Sequence, residues 1–273
     1  MPAVPSSSLI LGRHSLPYIG MEIVDAYAHC GLSKYEPIEK VRAAMAAGGV
    51  SRAVLVQHLG EFDNSYIGSV VASDPQRFAG VLLVVHRTKN VTDTLTQSVA
   101  SGKFQGLRLT AEALLANPVL FSLAGDLGLV IVLYAPQGIG PILSQLHKEL
   151  ENAPFTRLVI THLGNPNLIG SQLDDAANRA LGLARFPNVY LQISGMKMFC
   201  PCPHEPLYPL IAQAIDAFGA NRILWGSNYP VVGTVEDYTA DLRLLLDGRL
   251  PVPGEAIAKI VGENAVRLWF NRG

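Results

Sequence analysis

Three observations on this sequence predict an α/β fold, and within that class a single (β/α)8 TIM barrel. Short, almost wholly apolar runs alternate with amphipathic segments along the chain, as parallel strands do when they are buried on both faces and joined by crossover helices. The unit recurs eight times, which is the number that closes a parallel sheet into a barrel. No glycine-rich loop follows an early strand, as an open dinucleotide-binding sheet would require. A chain of 273 residues, 49% hydrophobic and 16% charged, is long enough for one such barrel.

Residues 1–21 carry Pro, Ser and Gly without a sustained period and are expected to form an N-terminal arm, with residues 22–273 making the barrel. Strand 22–29 alternates so that Asp25, Tyr27 and His29 share one face. Residues 37–48 have Pro at the start, Ile38, Val41 and Met45 at helical spacing, and Gly48 and Gly49 as a C-terminal stop. Strand 53–57, helix 64–73 closed by Asp74-Pro75, strand 80–86 and helix 94–102 come next. Strand 106–110, helix 118–127, strand 129–134, helix 142–150, strand 157–162 and helix 171–184 continue the alternation, followed by strand 189–194 and helix 207–218. The eighth strand lies in RILWGSNYP at 222–230, an apolar run that ends in small and polar residues. Segments 236–246 and 254–270 are expected as extra C-terminal helices, the last pinned by Asn264 and Arg267.

Composition narrows the function classes. The formal net charge of -1 is spread without blocks of either sign, which argues against a nucleic-acid footprint or a membrane-surface patch and for a small-molecule substrate. No apolar run approaches the roughly 18 residues that span a bilayer, and the first residues lack the basic and hydrophobic regions of a secretory signal. A cytoplasmic enzyme is expected, with self-association left open. The three cysteines are too few for a disulfide framework. The tract CPCPH at 200–204 has C-x-C spacing on an extended, proline-stiffened backbone, so it is expected to be a loop whose thiols pack.

In a (β/α)8 barrel the C-terminal strand ends converge on one site. The polar residues predicted at those ends are Tyr27, His29, Gln57, His58, His86, Arg108, Tyr134, His162, Gln192, Ser194, Ser227 and Asn228. Several histidines and an arginine exceed what capping strand ends requires. His29 and His162 stand out among them, and Arg108 is suited to a bidentate grip on a substrate carboxylate.

Further tracts carry a family resemblance. VDAYAH at 24–29 resembles an I/V-D-x-H-x-H signature in which the first His is here Tyr27. LVITHLG at 158–164 resembles V-I-D-H-L-G, and the eighth-strand tract resembles L-W/F-G-S-D-Y/W-P with Asn228 in place of the Asp. DNSY at 63–66 and GENAVRL at 262–268 complete the series in the correct order. The chain is thereby identified as similar to the amidohydrolase-2 branch of the amidohydrolase superfamily, and closest in character to its lactonases. The resemblance implies a TIM barrel and a metal ligand or general base at position 228, but an amide is neither at neutral pH. It also implies that some lactonases of the branch work without metal.

The two departures shape the expected chemistry. A catalytic zinc asks for about three imidazole, thiolate or carboxylate ligands, and the site offers His29 and His162. No cofactor is therefore expected, and a zinc ion, if held, would fall to those two histidines. The leading expectation is a metal-independent hydrolase that opens a lactone or similar cyclic ester of a small carboxylated ring. His162, His29, Tyr27 and Asn228 would be catalytic, and Arg108, Tyr134, His86, Gln57, His58 and Ser194 would bind substrate. Two alternatives stay open: a lyase, decarboxylase or isomerase using His/Tyr acid–base chemistry, and a small-molecule-binding protein without activity. Asp25 is expected to orient a neighbour from within the barrel.

Overall fold

The computed structural model describes residues 20–169, 172–173 and 175–271. The expected N-terminal arm lies outside the described residues except for Gly20 and Met21. Eight parallel strands form the sheet: β1 (Val24–Ala28), β2 (Arg52–Val56), β3 (Phe78–Leu82), β4 (Gly106–Thr110), β5 (Val130–Tyr134), β6 (Arg157–Ile160), β9 (Val189–Ser194) and β10 (Ile223–Gly226). Between β6 and β9, strands β7 (Leu168–Ile169) and β8 (Gln172–Leu173) pair with each other in a separate antiparallel hairpin. The ring closes between its first and last strands. The Asn228 N–H donates to the Tyr27 carbonyl and the His29 N–H to the Tyr229 carbonyl, each at 2.8 Å.

Side chains pack in two layers. Val54, Val56, Ala79, Val81, Val132, Val159 and Leu224 fill the inside of the barrel with Trp269. The other face of each strand, including Leu55, Leu107, Ile131, Ile160 and Ile193, packs against the surrounding helices. Those helices are α1 (Ile38–Gly48), α2 (Ser65–Ser73), α3 (Val91–Ala100), α4 (Ala111–Ala116), α5 (Val119–Asp126), α6 (Leu143–Asn152), α7 (Asp175–Gly182), α8 (Tyr208–Phe218) and α9 (Val235–Leu246). Gly49 ends α1 in the left-handed conformation, as a glycine stop does. The final turns, Lys259–Glu263 and Val266–Phe270, are pinned from Asn264, whose amide donates at 2.7 Å to the carbonyls of Ala220 and Ile223 beside β10. Arg267 adds a bond to the Asn221 carbonyl at 2.8 Å. None of the described helices is long and apolar enough to cross a membrane.

Four local expectations change. The strand expected over 80–86 ends at Leu82, because the Asn64 amide takes both backbone groups of Leu83, accepting from its N–H at 3.0 Å and donating to its carbonyl at 2.9 Å. His86 is therefore in a loop. The short helix α4 follows β4 directly, with the Thr110 hydroxyl capping it by accepting from the Ala113 N–H at 3.1 Å. The helix expected over 171–184 begins at Asp175, after the hairpin. Lastly, the pairing of β1 with β2 slips by one residue between Asp25 and Ala28. Such a bulge re-aims side chains, and here it separates Asp25 from Tyr27. Tyr27 joins the inner layer, while Asp25 bonds Ser227 and interacts with Tyr238 of α9.

Candidate active site

The mouth of the barrel holds a cavity of about 160 Å3 lined by Tyr27, His29, Tyr35, Arg108, His162 and Asn228, among others. Tyr27 is its centre. The phenol ring meets His29 edge-on with centroids 5.0 Å apart and His162 at 4.8 Å. Its hydroxyl is buried and has no hydrogen-bond partner among the described residues. Such a group costs roughly 1–3 kcal/mol when left unpaired, and it is a donor available to a bound oxygen atom. Burial pushes the phenol pKa up, against a smaller opposing pull from Arg108, and the hydroxyl keeps its proton.

Both histidines are neutral with a defined tautomer. His29 Nδ1 lies 2.6 Å from the Val56 carbonyl; a carbonyl only accepts, so Nδ1 carries the proton and Nε2 the lone pair. His162 Nδ1 lies 2.8 Å from the Ser194 hydroxyl, which also accepts the His162 backbone N–H at 3.2 Å. Ser194 is 3.3 Å from Gln192 Oε1, and the Gln192 amide donates to the Ala26 carbonyl at 3.0 Å. The direction of that chain sends the Ser194 proton to Gln192 and makes Ser194 the acceptor of the Nδ1 proton, so Nε2 of His162 is bare as well. Burial, assisted by the nearby Arg108 charge, lowers the His162 pKa to about 3 and holds that of His29 well below its usual value.

The backbone is bent to present these groups. His162 and Asn228 both adopt the left-handed conformation, with φ of 52° and 60°. For a residue such as His this costs about 1–2 kcal/mol. Gly195 (φ 61°) lets the chain pass between them, since a Cβ there would stand 3.0 Å from both His162 Nδ1 and the Asn228 amide nitrogen. Asn228 turns that amide towards Met198 Sδ, at 3.0 Å. At Gly226 a Cβ would meet the Tyr27 backbone nitrogen at 2.9 Å, so β10 can approach β1 only with glycine there.

Arg108 is buried, and its Nη1 donates to the Gln57 carbonyl at 2.7 Å. Its guanidinium carbon lies 5.1 Å from the centre of the half-buried Tyr134 ring, and its Nε has no partner among the described residues. A cation with unspent donors at the edge of the histidine cavity is equipped to grip an anionic group.

Other expected residues sit apart. The Gln57 amide donates to the Asp63 carbonyl at 2.8 Å and accepts from the His58 N–H at 3.0 Å, so it braces a loop. His58 lines a neighbouring recess with Cys30 and Tyr66. His86 lines an adjoining cavity, its Nε2 3.8 Å from Glu112 Oε1 and without a hydrogen-bond partner among the described residues. Ser194 supports His162 from below. Tyr35, absent from the expected set, stacks on His29 with centroids 4.9 Å apart and meets His58 edge-on at 5.1 Å. It lies in the loop after β1, where barrel sites recruit residues, but no periodicity marks a loop residue.

In the tract at 200–204 the Cys200 side chain is buried as expected and Cys202 is exposed. His204 is fully buried, with Nδ1 2.9 Å from the Cys200 carbonyl and Nε2 2.9 Å from Asp241 Oδ1. Cys202, His204 and Asp241 are the group of three metal-competent side chains found close together among the described residues, and the group is distinct from the histidine cavity.

Comparison with known proteins agrees with this architecture. The model of the amidohydrolase family Amidohydro_2 matches residues 19–270. An L-fucono-1,5-lactonase of Burkholderia ambifaria is 29% identical over 263 residues, covering 89% of this chain and 86% of that protein. A "probable 2-pyrone-4,6-dicarboxylic acid hydrolase" of Acinetobacter baumannii, solved with citric acid bound, superposes with a TM-score of 0.70 at 20% identity over 91% of this chain and 99% of that one. An amidohydrolase of Burkholderia multivorans solved with bound zinc gives 0.72 at 17% identity over 90% and 98%. These structural likenesses show the barrel.

Proposed function

The chain belongs to the amidohydrolase family, and from that premise we propose that it is a hydrolase opening a lactone or similar cyclic ester of a small carboxylated ring, without a metal. The lactonase relative and the cyclic-ester name of the solved barrel support the substrate class. The observation that carries the chemistry is the buried, unpartnered Tyr27 hydroxyl between two neutral imidazoles.

The zinc of the Burkholderia multivorans structure would need about three imidazole, thiolate or carboxylate ligands. Around this cavity stand two imidazoles, the phenol of Tyr27, which keeps its proton, the phenols of Tyr35 and Tyr134, and a primary amide. That donor set does not fit a zinc ion.

In the proposed reaction the Tyr27 O–H donates to the ester carbonyl oxygen, and Arg108 holds the ring carboxylate. Water attacks the carbonyl carbon while its proton passes to Nε2 of His162, with Asn228 orienting the water. The tetrahedral oxyanion, held by Tyr27, collapses and breaks the ring C–O bond. The departing alkoxide takes the proton back from His162, giving a hydroxy acid. Arg108 is the second cause of the depressed His162 pKa, so pairing Arg108 with the substrate carboxylate offsets that depression. The base thereby strengthens when substrate is bound. His29, stacked on Tyr35, walls the site and positions Tyr27 edge-on.

A panel of sugar-acid and pyrone lactones, incubated in 18O-water with and without chelator, tests the proposal. Ring-opened product carrying one solvent oxygen, at a rate indifferent to chelator, is expected. Product without the label would point to lyase or isomerase chemistry, and metal-restored activity would refute the metal-free mechanism.

A further inference from the structure

A second cavity, of about 420 Å3, opens beside the histidine cavity over the ends of β2 to β5. Leu59, Arg108 and Tyr134 line both, so the two are continuous across the guanidinium. Its walls are Leu83, Val84, Leu109, Ala113 and Leu120, all buried. Polar side chains stand at its border, where Arg108 Nε and the buried His86 Nε2 have no hydrogen-bond partner among the described residues. The Thr110 hydroxyl accepts the Ala113 N–H, and the Glu112 carboxylate is paired with Arg87. Hydroxyl groups placed against those five apolar side chains, away from the border, would lose water without gaining partners, at roughly 1–3 kcal/mol each, whereas hydrocarbon gains on entry.

We propose that the substrate's ring carries a hydrocarbon substituent, and that this cavity, joined to the catalytic one at Arg108, is its binding site. The assignment rests on the lactone-opening reading above and deepens it: the preferred substrates are alkyl- or aryl-substituted lactones, not polyhydroxylated sugar lactones. The volume falls within the range of about 300–1,000 Å3 typical of small-molecule sites.

Two series separate this inference from the reading it rests on. δ-Lactones with a ring carboxylate and unbranched chains from methyl to heptyl are assayed for hydrolysis, beside a sugar-acid δ-lactone. The corresponding open hydroxy acids are titrated by calorimetry. Each methylene should raise kcat/KM and affinity about fourfold, the equivalent of about 0.8 kcal/mol, until the cavity is filled. Ala113→Leu, which narrows the cavity, should lower the heptyl-to-methyl ratio in both series. Should that variant fail to fold, the series on the unaltered protein still decides. Affinity that is flat or falls with chain length, or a preference for the sugar lactone, would overturn the inference. Affinity that climbs with chain length while no lactone is opened would uphold the cavity's assignment and overturn the hydrolase reading.

Discussion

Replacing Asp25 by Asn should change how stability depends on pH, by an amount the structure predicts. The Asp25 carboxyl is fully buried and accepts the Ser227 N–H at 2.8 Å, the Ser227 hydroxyl at 2.6 Å and the Tyr27 N–H at 3.1 Å. Those bonds favour the carboxylate, yet burial outweighs them and raises the pKa from 3.8 to about 6. Between those two values the folded state holds a proton that the unfolded chain has released, so the contribution of Asp25 to stability falls as pH rises. At about 1.4 kcal/mol per pH unit, the loss from about pH 4.5 to its completion above pH 6 is about 2 kcal/mol. The amide that replaces the carboxyl in Asp25→Asn does not titrate, and its carbonyl oxygen can still accept both backbone N–H groups. His29 and His162 act in the opposite sense, because their lowered pKa values make stability rise with pH below about 6.5, but they are common to both proteins and cancel in the difference. Urea unfolding of the parent and of Asp25→Asn, followed by tryptophan fluorescence at several values from pH 4.5 to 7, should show the variant gaining about 2 kcal/mol relative to the parent across that range. A difference that stays constant with pH would refute the argument that burial governs this carboxyl.

Tyr27→Phe removes a buried hydroxyl that has no partner among the described residues. It should leave the unfolding free energy unchanged or raise it by up to about 1 kcal/mol, while lowering kcat on a responsive lactone about 10²- to 10³-fold, as loss of an oxyanion donor does; thermal melts and steady-state kinetics measure the two. The acidic limb of kcat/KM reports the free enzyme, and with His162 near 3 it should fall well below pH 5 instead of near the ordinary imidazole value. Arg108→Gln removes a cause of that depression, so proton NMR of the imidazole resonances should show the His162 pKa rising. Gly195→Ala adds a Cβ 3.0 Å from His162 Nδ1 at a backbone φ of 61°. It should cost about 1–2 kcal/mol in strain and lower kcat by displacing the imidazole, whereas an unaltered His162 resonance would contradict that geometry.

Much of this protein follows from the sequence by itself. Apolar runs alternating with amphipathic segments are a nearest-neighbour property, and eight of them are enough to specify the barrel and the end at which its polar residues gather. His29, His162, Tyr27, Arg108 and Asn228 are legible as a group for that reason, as are the glycine stop at Gly49 and the pin at Asn264. What depends on residues distant in the chain is decided only by the tertiary structure. The bulge in β1 parts Asp25 from Tyr27 because β1 must register with both β2 and β10, and the amide of Asn64 ends β3 early and withdraws His86. Tyr35 reaches His29 from a loop without periodicity. The protonation states of the two histidines come from burial and from Arg108, and the apolar cavity exists because four strands bring their ends together. Register, burial and the field of a charge are set by what lies across the barrel, and a pattern read along the chain carries no record of that.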